Sequence, residues 1–191
     1  MLAFLLNKLD KVVFNNNIAK IKFVIGKRKP KENYVSYQPK GDCYKIVTEM
    51  EKKALETVKM YRHFPFETLK ESSQLKEWYR FPQFTTEEFL LFLAVHEVRH
   101  RVQHRFPIKF VLPDALNAVD PYLKGVLFFE KICFSIEPPK IEYTDKEFDA
   151  RVISWLAIRL WKERKSISEL GFLLKQDAKS LLRKVHFTIS T

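Results

Sequence analysis

The chain has 191 residues, with 34 Lys and Arg against 23 Asp and Glu, which gives a formal net charge of +11. This length predicts one domain, because domains commonly span about 100 to 200 residues. The 46% hydrophobic share and the 17 Phe are typical of a globular protein and exclude a disordered chain. Only 4 Gly are present, and the glycine patterns of dinucleotide-binding and P-loop proteins are absent.

The compartment can be predicted from the apolar runs and the cysteines. Residues 2–6 are apolar, but Asn7 and Lys8 follow at once, so this stretch is too short for a secretory signal. The longest later apolar run, 89–95, is far below the roughly 18 residues of a membrane-spanning helix. Cys43 and Cys133 are too few for a disulfide framework. We expect a cytoplasmic protein with buried thiols and no membrane partner.

Residues 1–40 are predicted to form a β-hairpin region. Polar and apolar residues alternate over 20–25, and an extended pattern resumes at 34–37. The basic segment 26–31 lies between the two predicted strands. We therefore expect these strands to pair through a charged loop.

The segment 42–105 is predicted to be helical. Apolar residues recur at helical spacing after Asp42, which would cap the first helix, and a shorter helix is predicted at 68–79. Thr85 and Glu88 have the spacing of a capping box, in which each side chain bonds the other residue's backbone N–H. A third helix should start there and end before a proline.

Residues 120–186 are predicted to form the C-terminal helices, preceded by a short strand at 108–112. Their starts carry residues that commonly cap helices: Asp120 before Pro121, Thr144 with Glu147, and Ser166 with Glu169. The last helix is expected to extend to about residue 185. The pattern predicts an α+β fold, a single predominantly helical domain over 1–191 with a small sheet.

The helix predicted to follow Thr85 contains His96, Glu97 and His100 in HExxH spacing. Residues four apart lie one above the other on a helix, so two imidazoles can bind one Zn²⁺. Glu97 would then act as general base and acid, taking a proton from water and passing it to the leaving amine. The alternative is an amphipathic helix whose polar stripe contains His and Arg by chance.

A catalytic zinc site needs a third protein ligand. His104 continues the histidine row, but eight residues of helix separate it from His96 by about 12 Å, too far for one ion. We expect His104 to face solvent or to contact a metal-binding side chain without binding the metal itself. Asp149 falls on an apolar helix face, where an unpaired carboxylate is costly, so it needs a partner such as Arg99 or Arg101.

The two segments 90–105 and 144–158 resemble the gluzincins, in which a Glu from a later helix completes a His, His, Glu site. The similarity is greatest to repressor-cleaving metallopeptidases, and it implies that Glu147 is the third ligand. Helix capping by Glu147 is the alternative, and Asp149 could brace a histidine or be the ligand itself. The pattern HExRHxxQ followed by ExDA is also similar to small bacterial and mobile-element zincins, which would account for Arg99 and Gln103.

The leading prediction is therefore a zinc metallopeptidase with a zincin-like helix, Zn²⁺ as cofactor and a protein or peptide as substrate. The positive charge, concentrated at 26–31 and 159–184, gives the alternative of a nucleic-acid-associated protein. It would be a protease acting beside DNA, as SprT-like crosslink proteases do, or a DNA-binding module without activity. A third alternative is a degenerate zincin scaffold, because Arg99 and Arg101 stand where zincin helices prefer uncharged residues.

Overall fold

A computed structural model describes residues 1–24, 35–47, 85–112, 145–177 and 180. These residues form four helices and a three-stranded sheet, which confirms the α+β class and the helical predominance. The helices are α1 (Leu2–Val13), α2 (Thr86–Arg105), α3 (Asp145–Lys162) and α4 (Ile167–Lys175). The strands are β1 (Lys20–Val24), β2 (Val35–Gln38) and β3 (Cys43–Val47), with a 3₁₀ turn at Pro39–Gly41. No helix in these ranges is long and apolar enough to cross a membrane.

The sheet has β3 at its centre. β1 runs parallel to β3, with Lys20 opposite Cys43, and β2 runs antiparallel to it, with Tyr37 opposite Tyr44. Both strands of the predicted hairpin exist, but the pairing prediction was wrong because β3 lies between them. The parallel pairing of β1 cannot be made by a tight turn, so this sheet depends on contacts distant in sequence.

The prediction of a helix starting at Asp42 was also wrong. Cys43–Val47 is a strand with four of its five residues buried, and its Tyr, Ile and Val suit a central strand. Asp42 lies in the turn before it with a φ of 42°, a left-handed conformation that Asp tolerates. The remainder of that predicted helix and the helices expected at 68–79 and after Asp120 lie outside the described residues, as does Cys133.

The capping boxes at the starts of α2 and α4 are confirmed. Thr85 N donates to Glu88 Oε2 at 2.7 Å and Glu88 N donates to Thr85 Oγ1 at 3.2 Å. Ser166 and Glu169 form the same pair of bonds at 2.7 and 3.3 Å. Thr144 lies outside the described residues. α4 ends at Lys175, earlier than predicted, and the strand expected at 108–112 is irregular chain.

α2 is the central element and contacts α1, α3, α4 and β2. Its buried apolar residues include Leu90, Leu91, Ala94, Val95, Val98 and Val102. It also carries buried Glu97, Arg99 and Arg101. A buried charge is costly unless it is paired, so these three side chains must have partners in the neighbouring elements.

Arg101 joins α2 to α1 and to the turn before β3. Its Nη1 donates to Asp10 Oδ2 and to the Asn17 carbonyl oxygen, both at 2.8 Å. Its Nε and Nη2 donate to the two carboxylate oxygens of Asp42 at 2.9 and 2.8 Å. The guanidinium also lies 4.0 Å from the centre of the Phe14 ring. These contacts hold the sheet against the helix that carries the HExxH residues.

The charge of Asp42 should make stability depend on pH. Hydrogen bonds from Arg101 and Arg105 hold the pKa of Asp42 well below its usual range, against the opposing effect of partial burial. Such a carboxylate stabilises the fold above its unfolded pKa of about 3.9 and loses this effect as pH falls through its folded pKa. We expect Asp42→Asn to lower the free energy of unfolding by about 1 to 2 kcal/mol near pH 7.

Urea unfolding of both proteins at neutral pH and near pH 3 checks this expectation. The difference between wild type and variant should shrink as pH falls below about 4, because Asp42 is then protonated in the unfolded chain while its lowered pKa keeps the folded carboxylate ionised. A difference of the same size at both pH values would contradict a role for the charge of Asp42.

Candidate metal centre

His96, His100 and Glu147 bring three potential ligand atoms together. The histidines lie on successive turns of α2, and Glu147 lies in the first turn of α3, which packs on α2. The two Nε2 atoms are 3.0 Å apart. Glu147 Oε1 lies 3.1 Å from His96 Nε2, and Glu147 Oε2 lies 3.2 Å from His100 Nε2. These three residues could therefore hold a metal ion.

The donor set and its spacing fit such an ion. Ligand atoms arranged tetrahedrally at about 2.0 to 2.1 Å from zinc are about 3.3 to 3.4 Å from one another. The observed separations of 3.0 to 3.2 Å are close to that value. The side chains of His96, His100 and Glu147 are 12%, 23% and 24% exposed, so solvent reaches the group. Two imidazole nitrogens and a carboxylate are a combination found in catalytic zinc sites.

The electrostatics of the group favour a positive charge between its ligand atoms. Burial tends to lower the pKa of His100, but the hydrogen bond to Glu147 and the charge of Glu97 outweigh it and raise that pKa to about 9. Burial tends to raise the pKa of Glu147, but the charge of His96 and the hydrogen bond from His100 hold it well below its usual range. Either a proton or a metal cation can supply the positive charge.

Gln103 determines which nitrogen of His100 faces the group. Its Nε2 donates to Asp149 Oδ2 at 2.7 Å and to the Lys146 carbonyl oxygen at 2.9 Å. The opposite amide orientation would place Oε1 against these two acceptors, so Oε1 must be the atom that lies 2.9 Å from His100 Nδ1. His100 therefore donates from Nδ1–H to Gln103, and its Nε2 faces Glu147, where a metal can replace the Nε2 proton and bind the lone pair.

Asp149 lies behind the group and is not one of its ligand atoms. It is fully buried and accepts hydrogen bonds from Arg99 Nε at 2.6 Å, Arg99 Nη2 at 3.0 Å and Val111 N at 2.9 Å, besides the one from Gln103. The pairing with Arg99 is one of the predicted alternatives. Glu147 and Asp149 are about 200° apart around a helix, so only one of them can face the histidines.

Glu97 is 5% exposed and is held by the backbone of β2. Its Oε2 accepts the N–H of Tyr37 at 2.5 Å, and its Oε1 has no hydrogen-bond partner within the described ranges. Burial raises the pKa of Glu97, and the charges of His96 and His100 partly offset this effect. The carboxyl group is thus anchored through one oxygen beside His96, His100 and Glu147, which we call the metal-ligand group, and its other oxygen is not held by any described residue.

His96 and His104, at the two ends of the histidine row on α2, have different surroundings. His104 is exposed, and its ring lies 6.1 Å from that of Tyr37, so it is outside the group as the helix geometry predicts. The ring of His96 lies parallel to Phe92 at 6.4 Å, and Phe92 contacts Trp155 edge-on at 5.5 Å. Apolar rings therefore cover one side of the histidine pair.

Sequence reasoning missed Tyr37 and Phe92. Tyr37 contributes a backbone N–H, which every residue type except Pro can supply, so no pattern in the sequence marks it. Phe92 lies one turn before His96, and that spacing was the available signal for a ring packed on the imidazole.

Comparisons with protein-family models, curated proteins and solved structures find no match for this chain. The resemblance to gluzincins therefore depends on the residues of 90–105 and 144–158 alone. The residue that this resemblance selects as third ligand, Glu147, is the one that lies beside both histidines. The geometry of these three side chains is therefore the support for a metal centre.

The hydrogen bond between Gln103 and His100 gives a prediction about metal affinity. Loss of a partner that orients a metal-binding histidine commonly weakens binding 10- to 100-fold. We expect Gln103→Leu to weaken zinc binding by about that factor, measured by competition with a chromophoric chelator, and His104→Ala to bind like wild type. Circular dichroism checks that both variants are folded.

A second measurement tests the proton position directly. In the zinc-loaded protein, long-range ¹H–¹⁵N spectra should show the His100 proton on Nδ1. A proton on Nε2, or an unchanged affinity in folded Gln103→Leu, would contradict the proposed orientation.

Proposed function

We propose that this protein is a zinc-dependent metallopeptidase that hydrolyses peptide bonds in a protein or peptide substrate. The observation that carries the proposal is the convergence of two imidazoles of α2 and a carboxylate of α3 beside Glu97, a buried carboxyl group of α2. His96, His100 and Glu147 are the proposed zinc ligands, and Glu97 is the proposed general base and acid. The resemblance to gluzincins assigns these residues the same roles.

The donor set supports zinc over Mg²⁺ and Ca²⁺. Imidazole nitrogen suits Zn²⁺ and other transition metals, whereas Mg²⁺ and Ca²⁺ prefer sets made only of oxygen. Three protein ligands leave a position open, as in catalytic zinc sites, whereas structural sites commonly have four. When bound, zinc would polarise the substrate carbonyl and lower the pKa of water towards about 7.

Glu97 has the position and the environment of a proton carrier. Tyr37 N–H holds its Oε2, so Oε1 can take a proton from the attacking water and later pass it to the leaving amine. The raised pKa of the buried carboxyl suits this double role, because a group that acts as base and then as acid works best when its pKa is near the working pH.

The two arginines of the HExxH segment support this proposal over a degenerate scaffold. Arg99 is paired with Asp149, and Arg101 is paired with Asp10 and Asp42. Both guanidinium groups are buried in these pairs, away from the ligand atoms of His96 and His100. Their charges therefore have structural partners and leave the metal-ligand group free to bind a cation.

Metal analysis combined with peptidase assays tests the proposed function. Purified without chelators, wild type and Glu97→Gln should each contain about one zinc per chain, and His100→Ala should contain almost none. On a dye-labelled unfolded protein, we expect Glu97→Gln to lose at least about 100-fold in rate, because general acid-base catalysis contributes 10²- to 10⁴-fold. His104→Ala is the matched control, because His104 lies one helical turn from His100 and outside the ligand group. It should keep wild-type zinc content and activity.

Two results would contradict the proposal. One is wild-type protein that binds no zinc even when zinc is added. The other is folded Glu97→Gln that retains wild-type activity.

A further inference from the structure

A cavity of about 600 Å³ lies at the C-terminal end of α2. It is bounded by the end of α1, the end of α2 with the chain that follows, and the last residue of α4. None of the proposed zinc ligands lines it, and neither does Glu97. We call it the α2-end cavity. Its volume is in the usual range for small-molecule sites, about 300 to 1,000 Å³.

Among the described residues, the α2-end cavity is lined by cations and by no carboxylate. Arg101 forms part of the wall, but Asp10 and Asp42 behind the wall neutralise it. Arg105 is 45% exposed and uses one of its N–H groups, on Nη2, to bond Asp42. Lys175 forms no ion pair with any residue in the described ranges. Arg105 therefore offers its remaining N–H groups to an anion, and Lys175 offers a cation that no described residue pairs.

Aromatic rings line the same cavity. Phe14 and Phe106 stack with centroids 5.7 Å apart and an angle of 14° between their planes. Phe106 is 41% exposed, so part of its ring is open to a ligand. A planar ring that enters the cavity can stack there, and such stacking is how nucleobases bind to aromatic side chains.

Two unpaired amides complete the lining. The side chains of Asn15 and Asn17 have no hydrogen-bond partner in the described part of the chain. Each offers a donor and an acceptor, which can match the polar edge of a base. Asn15 has a φ of 52°, in the left-handed region where Asn is favoured over most residues.

We propose that the α2-end cavity binds a nucleoside phosphate, either as a free nucleotide or as one unit of a single-stranded nucleic acid. Arg105 and Lys175 bind the phosphate, Phe106 stacks on the base, and the asparagine amides bond its edge. The net charge of +11 favours a polyanionic ligand. An acidic peptide would satisfy the cations, but its carboxylate side chains have no planar ring to stack on Phe106.

The test uses the full chain with a chelator present, so that the result does not depend on zinc. A fluorescent single-stranded oligothymidylate and adenosine monophosphate are the probes. Wild type should bind the oligonucleotide with an affinity that falls as salt rises. Lys175→Glu and Phe106→Ala should each weaken binding at least about fivefold. Lys8→Glu makes the same charge change at an exposed lysine outside the cavity and should stay within about twofold of wild type.

The arms distinguish the two sources of the ligand. Displacement of the oligonucleotide by the monophosphate identifies a free nucleotide as sufficient, and binding of the oligonucleotide alone identifies a strand. The proposal is overturned if neither probe binds, if Lys8→Glu loses as much affinity as Lys175→Glu, or if polyglutamate displaces the oligonucleotide at equal concentration. Because Glu97 and the zinc ligands are unchanged, none of these results bears on peptidase activity.

Discussion

The ion pair between Arg99 of α2 and Asp149 of α3 is the contact on which the surroundings of the metal-ligand group depend. Both side chains are fully buried. Arg99 also donates to the carbonyl oxygens of Leu174 and Gln176 at the end of α4, at 2.6 and 2.8 Å. Removing one member would leave an uncompensated buried charge, which commonly costs about 3 to 5 kcal/mol. Well-packed apolar residues in place of the pair could give similar stability. We therefore infer that the role of the pair is to fix how α2 and α3 are aligned.

Two sets of hydrogen bonds hold the side chains of the proposed site in place. Asp149 lies two residues after Glu147 and also binds Gln103, so one carboxylate positions both Glu147 and the hydrogen-bond partner of His100. On another side of α2, Asp42 accepts the hydroxyl of Tyr37 at 2.9 Å, and Tyr37 N–H holds Glu97. The proposed ligands and the proposed base are thus held by separate buried polar networks on one helix.

Local signals in the sequence predicted the parts of the fold that local contacts determine. The capping boxes at Thr85 and Ser166 placed the starts of α2 and α4, because both partners of each box lie within three residues. The order of the sheet was mispredicted, because β3 pairs with β1 across about twenty residues. Nothing local to either strand encodes that pairing.

The site shows the same division. HExxH spacing brings His96 and His100 together on any helix, so their pairing could be predicted from the sequence. The choice between Glu147 and Asp149 could not be made from the residues, because it depends on how α3 is rotated against α2. The structure shows that rotation through the bonds of Asp149 to Arg99 and Val111. The backbone contact of Tyr37 with Glu97 likewise appears only when the sheet is packed against the helix.

X-ray absorption at the zinc edge is the sharpest test of the proposed His96, His100 and Glu147 ligand set, because it reports the ligands of the metal in solution. For wild type with one equivalent of zinc, we expect two imidazoles and oxygen ligands at about 2.0 to 2.2 Å from the metal. In His100→Ala, which holds zinc weakly, the imidazole signal should fall and hydrated zinc should dominate the spectrum. A carboxylate contribution should disappear in Glu147→Ala and persist in Gln103→Leu. Sulfur at about 2.3 Å, or a wild-type spectrum unchanged by His100→Ala and Glu147→Ala, would contradict the account.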